Sequence, residues 1–208
     1  MGREKNMKKE EIGEAKKLLD QIAEGDDLAL IRLQALLLNQ RDDAEKYMPP
    51  ELYNALARLT TTTSLETIAL REIGGHLKVY LTKRRPDDVY SNSWHVPGTV
   101  LRVRESFEDA LQRLSESEYG TKIISYNFIG MTNNRYEARG HFVSPVFLVA
   151  LSAEPKPNGE WVECQPLRAD SEDFKIIWHH REYLIPMAVL AHNHPETRPA
   201  VIQFEKPS

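Results

Sequence analysis

Acidic and capping residues recur at helical spacing between Glu105 and Gly120, and this spacing is the clearest sign of chemistry in the chain. Ser106 can cap the start of a helix, with Asp109 three residues further on. Glu118 falls in the last turn before Gly120, where the helix dipole disfavours an anion by about 0.3 kcal/mol or more. A bound cation would favour a carboxylate there, and a solvated helix end is the alternative interpretation.

The residues around this segment show what would hold it in place. Trp94 to Gly98 precede it, and a glycine at 98 allows its backbone carbonyl to approach a ligand or a metal closely. Trp94 can stack on a base or pack the loop, and packing is the simpler interpretation. Along the helix itself, one apolar face is expected to pack against a core; it consists of Phe107, Ala110, Leu111 and Leu114.

The stretch from Trp94 to Gly120 resembles the Nudix box, in which Gly, Glu, Arg-Glu, Glu-Glu and Gly follow at fixed spacings. Four residues align with that box without a gap: Glu105, Arg113, Glu118 and Gly120. The preceding Trp-x-x-Pro-Gly also matches, and the resemblance covers roughly residues 50–190. It implies an α/β (α+β) fold of the Nudix type, a mixed β-sheet sandwiched between helices, here with an N-terminal helical extension.

This sequence departs from the Nudix box at three positions. Thr99 replaces the second glycine, Leu114 stands where the family has the glutamate after its arginine, and Ser117 replaces the first paired glutamate. Family members that hydrolyse phosphoanhydrides use these acids to hold Mg²⁺ and activate water. With two carboxylates absent, we expect at most one Mg²⁺, held by Glu118 and the Gly98 carbonyl.

Within the family, the GDP-mannose mannosyl hydrolases are similar in Val-Pro-Gly, in the Arg-Leu pair and in the Glu-x-Gly ending. They displace GDP from the anomeric carbon of the sugar, which needs Mg²⁺ and cationic side chains on the phosphates. The resemblance implies that Arg84 and Arg113 contact phosphate or support the site, Arg113 as a catalytic residue and Arg84 as a substrate-binding one. It also implies that Glu66, where that branch has an aspartate, and Tyr136, in the sugar-side loop, bind substrate.

The general base of that branch has no counterpart of the same type here. The branch uses a histidine before its late strand, whereas Pro155 to Glu160 contain none. Glu160 is the candidate base if burial raises its pKa, and an exposed loop carboxylate is the alternative. Val100 also stands where the branch has an arginine.

Two functions therefore stay open. The first is a Nudix-like hydrolase that acts on a nucleoside diphosphate-linked sugar or a related compound with a single Mg²⁺. The second is a catalytically inactive Nudix-fold module that binds a nucleotide or a protein partner. Retention of Glu118, Arg113 and Arg84 favours the first function, and loss of the acids and of the histidine favours the second.

The helices and strands that must position these residues can be predicted from hydrophobic periodicity and from the positions of proline and glycine. We expect a helical extension over residues 1–48, a Nudix-like domain over 49–195 and an irregular tail over 196–208. Helices are expected at 8–24, 28–39, 51–59, 106–118 and 180–192, with Pro186 breaking or kinking the last. Strands are expected at 65–71, 77–82, 123–131, 142–151 and 161–167.

Some side chains are expected to be structural. The helix at 28–39 is apolar on most faces, which predicts burial against another element or another subunit, so a homodimer is one expectation. Tyr126, Phe128 and Phe142 alternate as in core strands. Adjacent histidines on a helix point about 100° apart, so His179 and His180 are expected to pack or face solvent without sharing a metal.

The composition of the chain limits the classes of molecule that it is expected to bind. A net charge of −4 gives no general attraction to nucleic acid or to an anionic membrane. No apolar run approaches the ~18 residues that cross a bilayer. The single cysteine, Cys164, cannot form an intramolecular disulfide and is expected to pack as a small apolar residue. We expect a cytoplasmic protein that binds a nucleoside diphosphate derivative, and neither nucleic acid nor membrane.

Overall fold

The computed structural model describes residues 9–39, 50–86, 88–171 and 174–204. The chain divides into two compact units, residues 1–47 and 48–208. The expected boundary between the helical extension and the main domain, at residue 48, lies outside the described residues.

The first unit is a pair of helices, α1 (Lys9–Ala23) and α2 (Asp27–Asn39), which pack against each other. Asp26 stabilises the start of α2, because its carboxylate accepts the N–H groups of Leu28 at 2.9 Å and Ala29 at 3.2 Å. Burial of α2 against another element or another subunit stays a prediction. Most of its large apolar side chains are exposed: Leu28, Leu30, Ile31 and Leu37.

The second unit is an α/β domain. Its helices are α3 (Pro50–Leu59), α4 (Phe107–Leu114) and α5 (Ile185–Asn193), with π-helical turns at Ser115–Tyr119 and His180–Leu184. Its strands are β1 (Thr61–Ile73), β2 (His76–Lys83), β3 (Trp94–His95), β4 (Gly98–Val100), β5 (Ile123–Glu137), β6 (Gly140–Leu151), β7 (Gly159–Glu163) and β8 (Ala200–Gln203). The sheet order is β3-β2-β1-β6-β5-β8, with β4 beside β1 and β7 beside β2. Since β1 pairs antiparallel with β2 and parallel with β6, the predicted mixed sheet is confirmed.

Successive side chains of β1 enter two different cores. Leu65 and Ala69 pack with residues of the box helix, whereas Ile68 packs with residues of α5. Side chains alternate between the faces of a strand, so one side of the sheet is covered by α4 and the other by α5. We call these sides the α4 face and the α5 face.

The predicted box helix consists of α4 and the π-helical turn that follows it. Ser106 caps α4, because its hydroxyl accepts the Asp109 N–H at 3.1 Å while the Asp109 carboxylate accepts the Ser106 N–H at 3.3 Å. Leu114 is fully buried, as predicted. Phe107 is 42% exposed, contrary to prediction, although its ring packs edge-on against Phe147.

The start of β5 also differs from the prediction. Tyr126 and Phe128 pack against the ring of Phe147 on the α4 face, yet both are exposed on their outer side. Phe142 on β6 is buried as expected. Alternation along the strand therefore overestimated how far the core extends.

Two further differences concern the C-terminal part. The predicted helix at 180–192 begins as a π-helical turn and continues as α5, with Pro186 close to the junction of the two. The tail was expected to be irregular. Residues 200–203 instead form β8, which pairs in parallel with residues 130–133 of β5.

Two predictions about composition can be compared with the described residues. Within them, no helix combines the length and the apolar character that crossing a membrane requires. Cys164 is buried, and this burial raises the pKa of its thiol to about 12. A thiol with so high a pKa behaves as an apolar side chain, as predicted.

Candidate functional site

Arg113 fixes the loop that leads into the box helix. Its Nε and Nη2 each donate to the Glu105 carboxylate at 2.8 Å, and Nη1 donates to Thr99 Oγ1 at 2.6 Å. Nη2 also donates to the Val100 carbonyl at 3.1 Å. The hydrogen bond from Arg113 lowers the pKa of the Glu105 carboxyl. The guanidinium is thus bound by protein partners on the loop that leads into the box helix.

Gly98 lies directly against the carboxylate of Glu66. The two residues are paired across β4 and β1, and a Cβ added to Gly98 would lie 2.3 Å from Glu66 Oε2 and 3.0 Å from the Leu65 carbonyl oxygen. Carbonyls two residues apart on a strand point the same way. The Gly98 carbonyl therefore points toward the side on which Arg113 binds the Val100 carbonyl.

Two chains of hydrogen bonds connect the end of the box helix to the segment before Gly98. In the first, Thr82 Oγ1 donates to Glu118 Oε2 at 3.4 Å and lies 3.1 Å from His95 Nε2. In the second, Tyr119 Oη lies 3.0 Å from Thr67 Oγ1, which donates to the Pro97 carbonyl at 2.9 Å. Glu118 is therefore held near the loop that carries Gly98.

The two oxygen donors expected to hold a single Mg²⁺ lie on segments that these hydrogen bonds connect. They are the Glu118 carboxylate and the Gly98 carbonyl, and Mg²⁺ commonly takes its remaining ligands from water and from phosphates. Leu114 lies inside the apolar core and Ser117 is an exposed hydroxyl, so neither adds a carboxylate. Among the described residues, no group of three or more His, Cys, Asp or Glu side chains is placed to hold a metal.

A polar pocket opens on the α5 face beside Glu66. Strands β1, β5 and β6 form its floor, and the π-helical turn before α5 contributes to its wall. Its polar lining includes Glu66, Arg84, Asn134, Glu137, Arg139 and His179. The volume of the pocket in this conformation is about 20 Å³, which is enough for an ordered water molecule.

The arginines of the pocket are already paired with carboxylates. Arg84 Nη1 lies 3.0 Å from Asp88, and Arg139 Nε lies 2.8 Å from Glu137, which also accepts the Tyr90 hydroxyl at 2.8 Å. Together with Glu66, these side chains comprise three carboxylates, two guanidinium groups and one tyrosine hydroxyl. The pocket is therefore polar without an excess of positive charge.

Glu66 is the least compensated acid in the pocket. Burial raises the pKa of its carboxyl to about 7, and this effect exceeds the opposing effects of Arg84 and Arg139. The contact with the Ser64 hydroxyl is long, at 3.4 Å. A carboxyl with this pKa can hold or release a proton near neutral pH.

Three buried histidines border the two regions of the site. Burial lowers the pKa of His95 to about 3 and that of His179 to about 4, and it lowers the pKa of His180 well below its usual value. All three are therefore neutral near pH 7. The backbone N–H of Val96 donates to His180 Nδ1 at 3.1 Å, which fixes this histidine's tautomer.

The fold described above agrees with the family that the sequence matches. A model of the NUDIX domain matches residues 67–200, more than half of the chain. The chain belongs to the NUDIX domain family. No curated protein matches it closely enough to count as a relative.

Solved structures show the same Nudix fold at low identity. The NUDIX domain of Shewanella oneidensis NrtR, complexed with ADP-ribose, is 16% identical with a TM-score of 0.50, over 68% of this chain and 97% of that chain. A MutT NUDIX hydrolase from Burkholderia pseudomallei is 21% identical over 59% of this chain and 94% of that chain, with a TM-score of 0.48. A mutT/nudix family protein from Listeria innocua is 17% identical over 67% and 97%, with a TM-score of 0.49. At these identities the likeness concerns the fold alone.

In this Nudix domain the predicted substrate residues divide into two groups. Glu66 and Arg84 line the same pocket. Tyr136 is 40% exposed and lies beside the guanidinium of Arg135, outside the lining of the pocket. A direct contact between Tyr136 and a ligand in the pocket therefore requires a movement of the hairpin that joins β5 and β6.

The candidate base Glu160 is not brought to Glu118. Glu160 pairs with Leu81 on β2, and the side-chain partner that the structure gives it is Arg168 rather than Glu118. Glu160 is exposed and lies 3.4 Å from Arg168. The burial on which its role as a base depended is absent.

Several residues of the Nudix pocket were not recognised in the sequence. Asn134, Glu137 and Arg139 lie on the β5–β6 hairpin, far along the chain from the box. Their signal was a polar run, Asn133 to Arg139, that interrupts two apolar strands. His179 packs as expected, and it also lines the pocket.

Proposed function

We propose that this protein is a Nudix hydrolase that acts on a nucleoside diphosphate-linked sugar or a related compound with a single Mg²⁺. The observation that carries the proposal is the position of Glu66. Its carboxylate lies both in the polar pocket and against Gly98, whose carbonyl is one of the two donors suited to the ion. This position supports Glu66 as the acid–base group of the proposed reaction.

The charges of the pocket decide which part of the ligand it accepts. Arg84 and Arg139 are neutralised by Asp88 and Glu137, so the pocket has little to offer a phosphate. Its carboxylates and neutral imidazoles suit the hydroxyl groups of a sugar. The diphosphate would then lie toward Glu118, and a ligand of this size requires the pocket walls to open.

Glu66 can act on the water that attacks the sugar. With a pKa of about 7, its carboxylate is ionised in a large fraction of molecules near neutral pH and can accept a proton from that water. When bound, Mg²⁺ would neutralise charge on the leaving diphosphate. This division of roles resembles displacement at the anomeric carbon, as in the GDP-mannose mannosyl hydrolases.

The second candidate is a module that binds a nucleotide derivative without hydrolysis. The observation that favours it is the absence of carboxylates at two box positions. Leu114 is fully buried, and Ser117 carries only a hydroxyl. Both candidates use the same pocket. They differ in whether a product forms.

The test is a panel of nucleoside diphosphate sugars, including GDP-mannose, together with ADP-ribose. Each compound is incubated with the protein in Mg²⁺ and in EDTA, products are separated by anion-exchange chromatography, and thermal shift reports binding. A hydrolase of the proposed type releases free sugar and a nucleoside diphosphate only with Mg²⁺. Saturable binding without product supports the second candidate, and absence of both overturns the two.

Three matched Glu→Gln variants separate the roles of the carboxylates. Glu66→Gln should lower kcat by about 100-fold or more while ligand binding persists, as loss of a general base does. Glu118→Gln should abolish activity with a nearly unchanged Tm, because Glu118 makes one long hydrogen bond. The control, Glu160→Gln, should retain activity, and equal loss in all three would contradict the assignment.

A further inference from the structure

The cations near the box helix differ in how much charge they can offer a ligand. Arg113 is bound by Glu105, and the pocket's Arg84 and Arg139 are each paired with an acid. A phosphate could bind these arginines only by competing with a carboxylate. Lys156, in the loop between β6 and β7, has different partners.

The ammonium group of Lys156 is held by neutral groups. Its Nζ donates to the carbonyls of Glu116 at 2.8 Å and Ser117 at 3.2 Å, at the C-terminal end of the box helix. Among the described residues, no carboxylate lies within ion-pair distance of it. Since an ammonium group has three N–H donors, one donor remains for a ligand on this exposed surface.

The backbone of Lys156 fixes this position. Its N–H donates to the Tyr119 carbonyl at 2.8 Å, and its own carbonyl accepts the Tyr80 hydroxyl at 2.8 Å. The side chain crosses Gly120 so closely that a Cβ there would lie 2.3 Å from Lys156 Cγ. Gly120 has a φ of +66°, so glycine meets both the conformational and the steric requirement.

Lys156 and Glu118 are anchored to neighbouring positions of β2. Tyr80, which binds the Lys156 carbonyl, and Thr82, which binds Glu118, are two residues apart and point to the same face, roughly 7 Å from each other. The lysine and the retained metal-box glutamate therefore belong to the same end of the helix.

We infer that Lys156 binds the diphosphate of the ligand. It supplies positive charge at the helix end where Leu114 and Ser117 no longer allow further metal ions to be held. The inference rests on the proposed function, because it assigns a residue to the same ligand. A purely structural role, in which Lys156 only caps the helix end, predicts a change in stability without a change in ligand affinity beyond it.

The test measures binding of GDP and UDP to the full chain by calorimetry, in Mg²⁺ and in EDTA. Lys156→Met should weaken binding about tenfold or more and reduce its dependence on salt concentration, since one charged hydrogen bond is lost. Lys156→Arg should restore most of the affinity. Lys122→Met, at another exposed lysine, is the control and should leave binding nearly unchanged.

The outcomes separate this inference from the proposed function. In EDTA the unmodified protein should retain weak binding that Lys156→Met removes. Unchanged affinity of Lys156→Met, or equal loss in the Met and Arg variants, would overturn the role of Lys156 and leave the proposed function standing. If no nucleoside diphosphate or derivative binds the unmodified protein, the proposed function fails, and this inference fails with it.

Discussion

Leu114 and Ser117 occupy the two box positions where the family has carboxylates, but their surroundings are opposite. Leu114 is fully buried beside Tyr119 and Phe147 in the core under α4. Ser117 is exposed in the π-helical turn, one residue before Glu118. Restoring the family's acids would thus place one carboxylate in an apolar core and the other in water.

We predict that the two restoring substitutions behave differently. Leu114→Glu should reduce the free energy of unfolding by about 3 kcal/mol or more, because it buries an uncompensated carboxyl and loses apolar packing. Ser117→Glu should change it by less than about 0.5 kcal/mol and should increase affinity for Mn²⁺, used as a probe for Mg²⁺.

Urea unfolding and metal titration of each single variant would check this pair. A Leu114→Glu protein as stable as the unmodified one would show that position 114 can turn toward the metal site. An unchanged metal affinity in Ser117→Glu would show that residue 117 does not face Glu118's site.

The hydrogen-bond partners of Arg113 could not be predicted from the sequence. Box spacing identified Arg113 as a candidate residue of the site. The same spacing could not show that four hydrogen bonds to Glu105, Thr99 and Val100 occupy its guanidinium. Saturation of a side chain depends on the tertiary positions of its partners, which no local pattern contains.

At the scale of elements, periodicity predicted the long helices and strands. It missed elements that are very short or that form only by pairing with a distant strand. The strands β3 and β4 contain two and three residues, too few to show alternation. The strand β1 extends back through a threonine run because it pairs in parallel with β6, a contact between distant segments. The pocket arises from such distant contacts, so most of its lining was not predictable.

The helix α2 leads to a prediction at the same scale. Its exposed apolar side chains would each contribute about 1.5–3 kcal/mol if buried, so we expect them to pair two copies of the chain. Ile31, which is 60% exposed, is a suitable probe. Ile31→Lys should convert a dimer into a monomer, as measured by sedimentation equilibrium.

Leu59 offers a matched control, because it is an apolar residue 81% exposed at the end of α3. Leu59→Lys should leave the association unchanged. A monomeric unmodified protein would contradict the expected dimer, and a dimer that persists in Ile31→Lys would place the interface elsewhere.

At the scale of the whole molecule, buried ionisable groups of opposite type determine how stability depends on pH. His95, His179 and His180 have lowered pKa values in the folded protein, so below their ordinary pKa of about 6.5 the unfolded chain binds more protons. Stability from these groups is lost as pH falls. Glu66 has a raised pKa, so its contribution is largest below about 4.5 and is lost as pH rises through about 7.

We predict that the three histidines dominate and that stability rises from about pH 5 to about pH 7. Glu66→Gln should make this rise steeper, because it removes the one opposing group among these four. The change of the Glu66 pKa from 4.5 to about 7 corresponds to about 3 kcal/mol at most, with less expected because part of the side chain reaches solvent. The Tm difference between Glu66→Gln and the unmodified protein should therefore increase from about pH 5 to about pH 8. Differential scanning fluorimetry across this range measures it, and a difference independent of pH would show that Glu66 titrates in the folded protein much as it does in the unfolded chain.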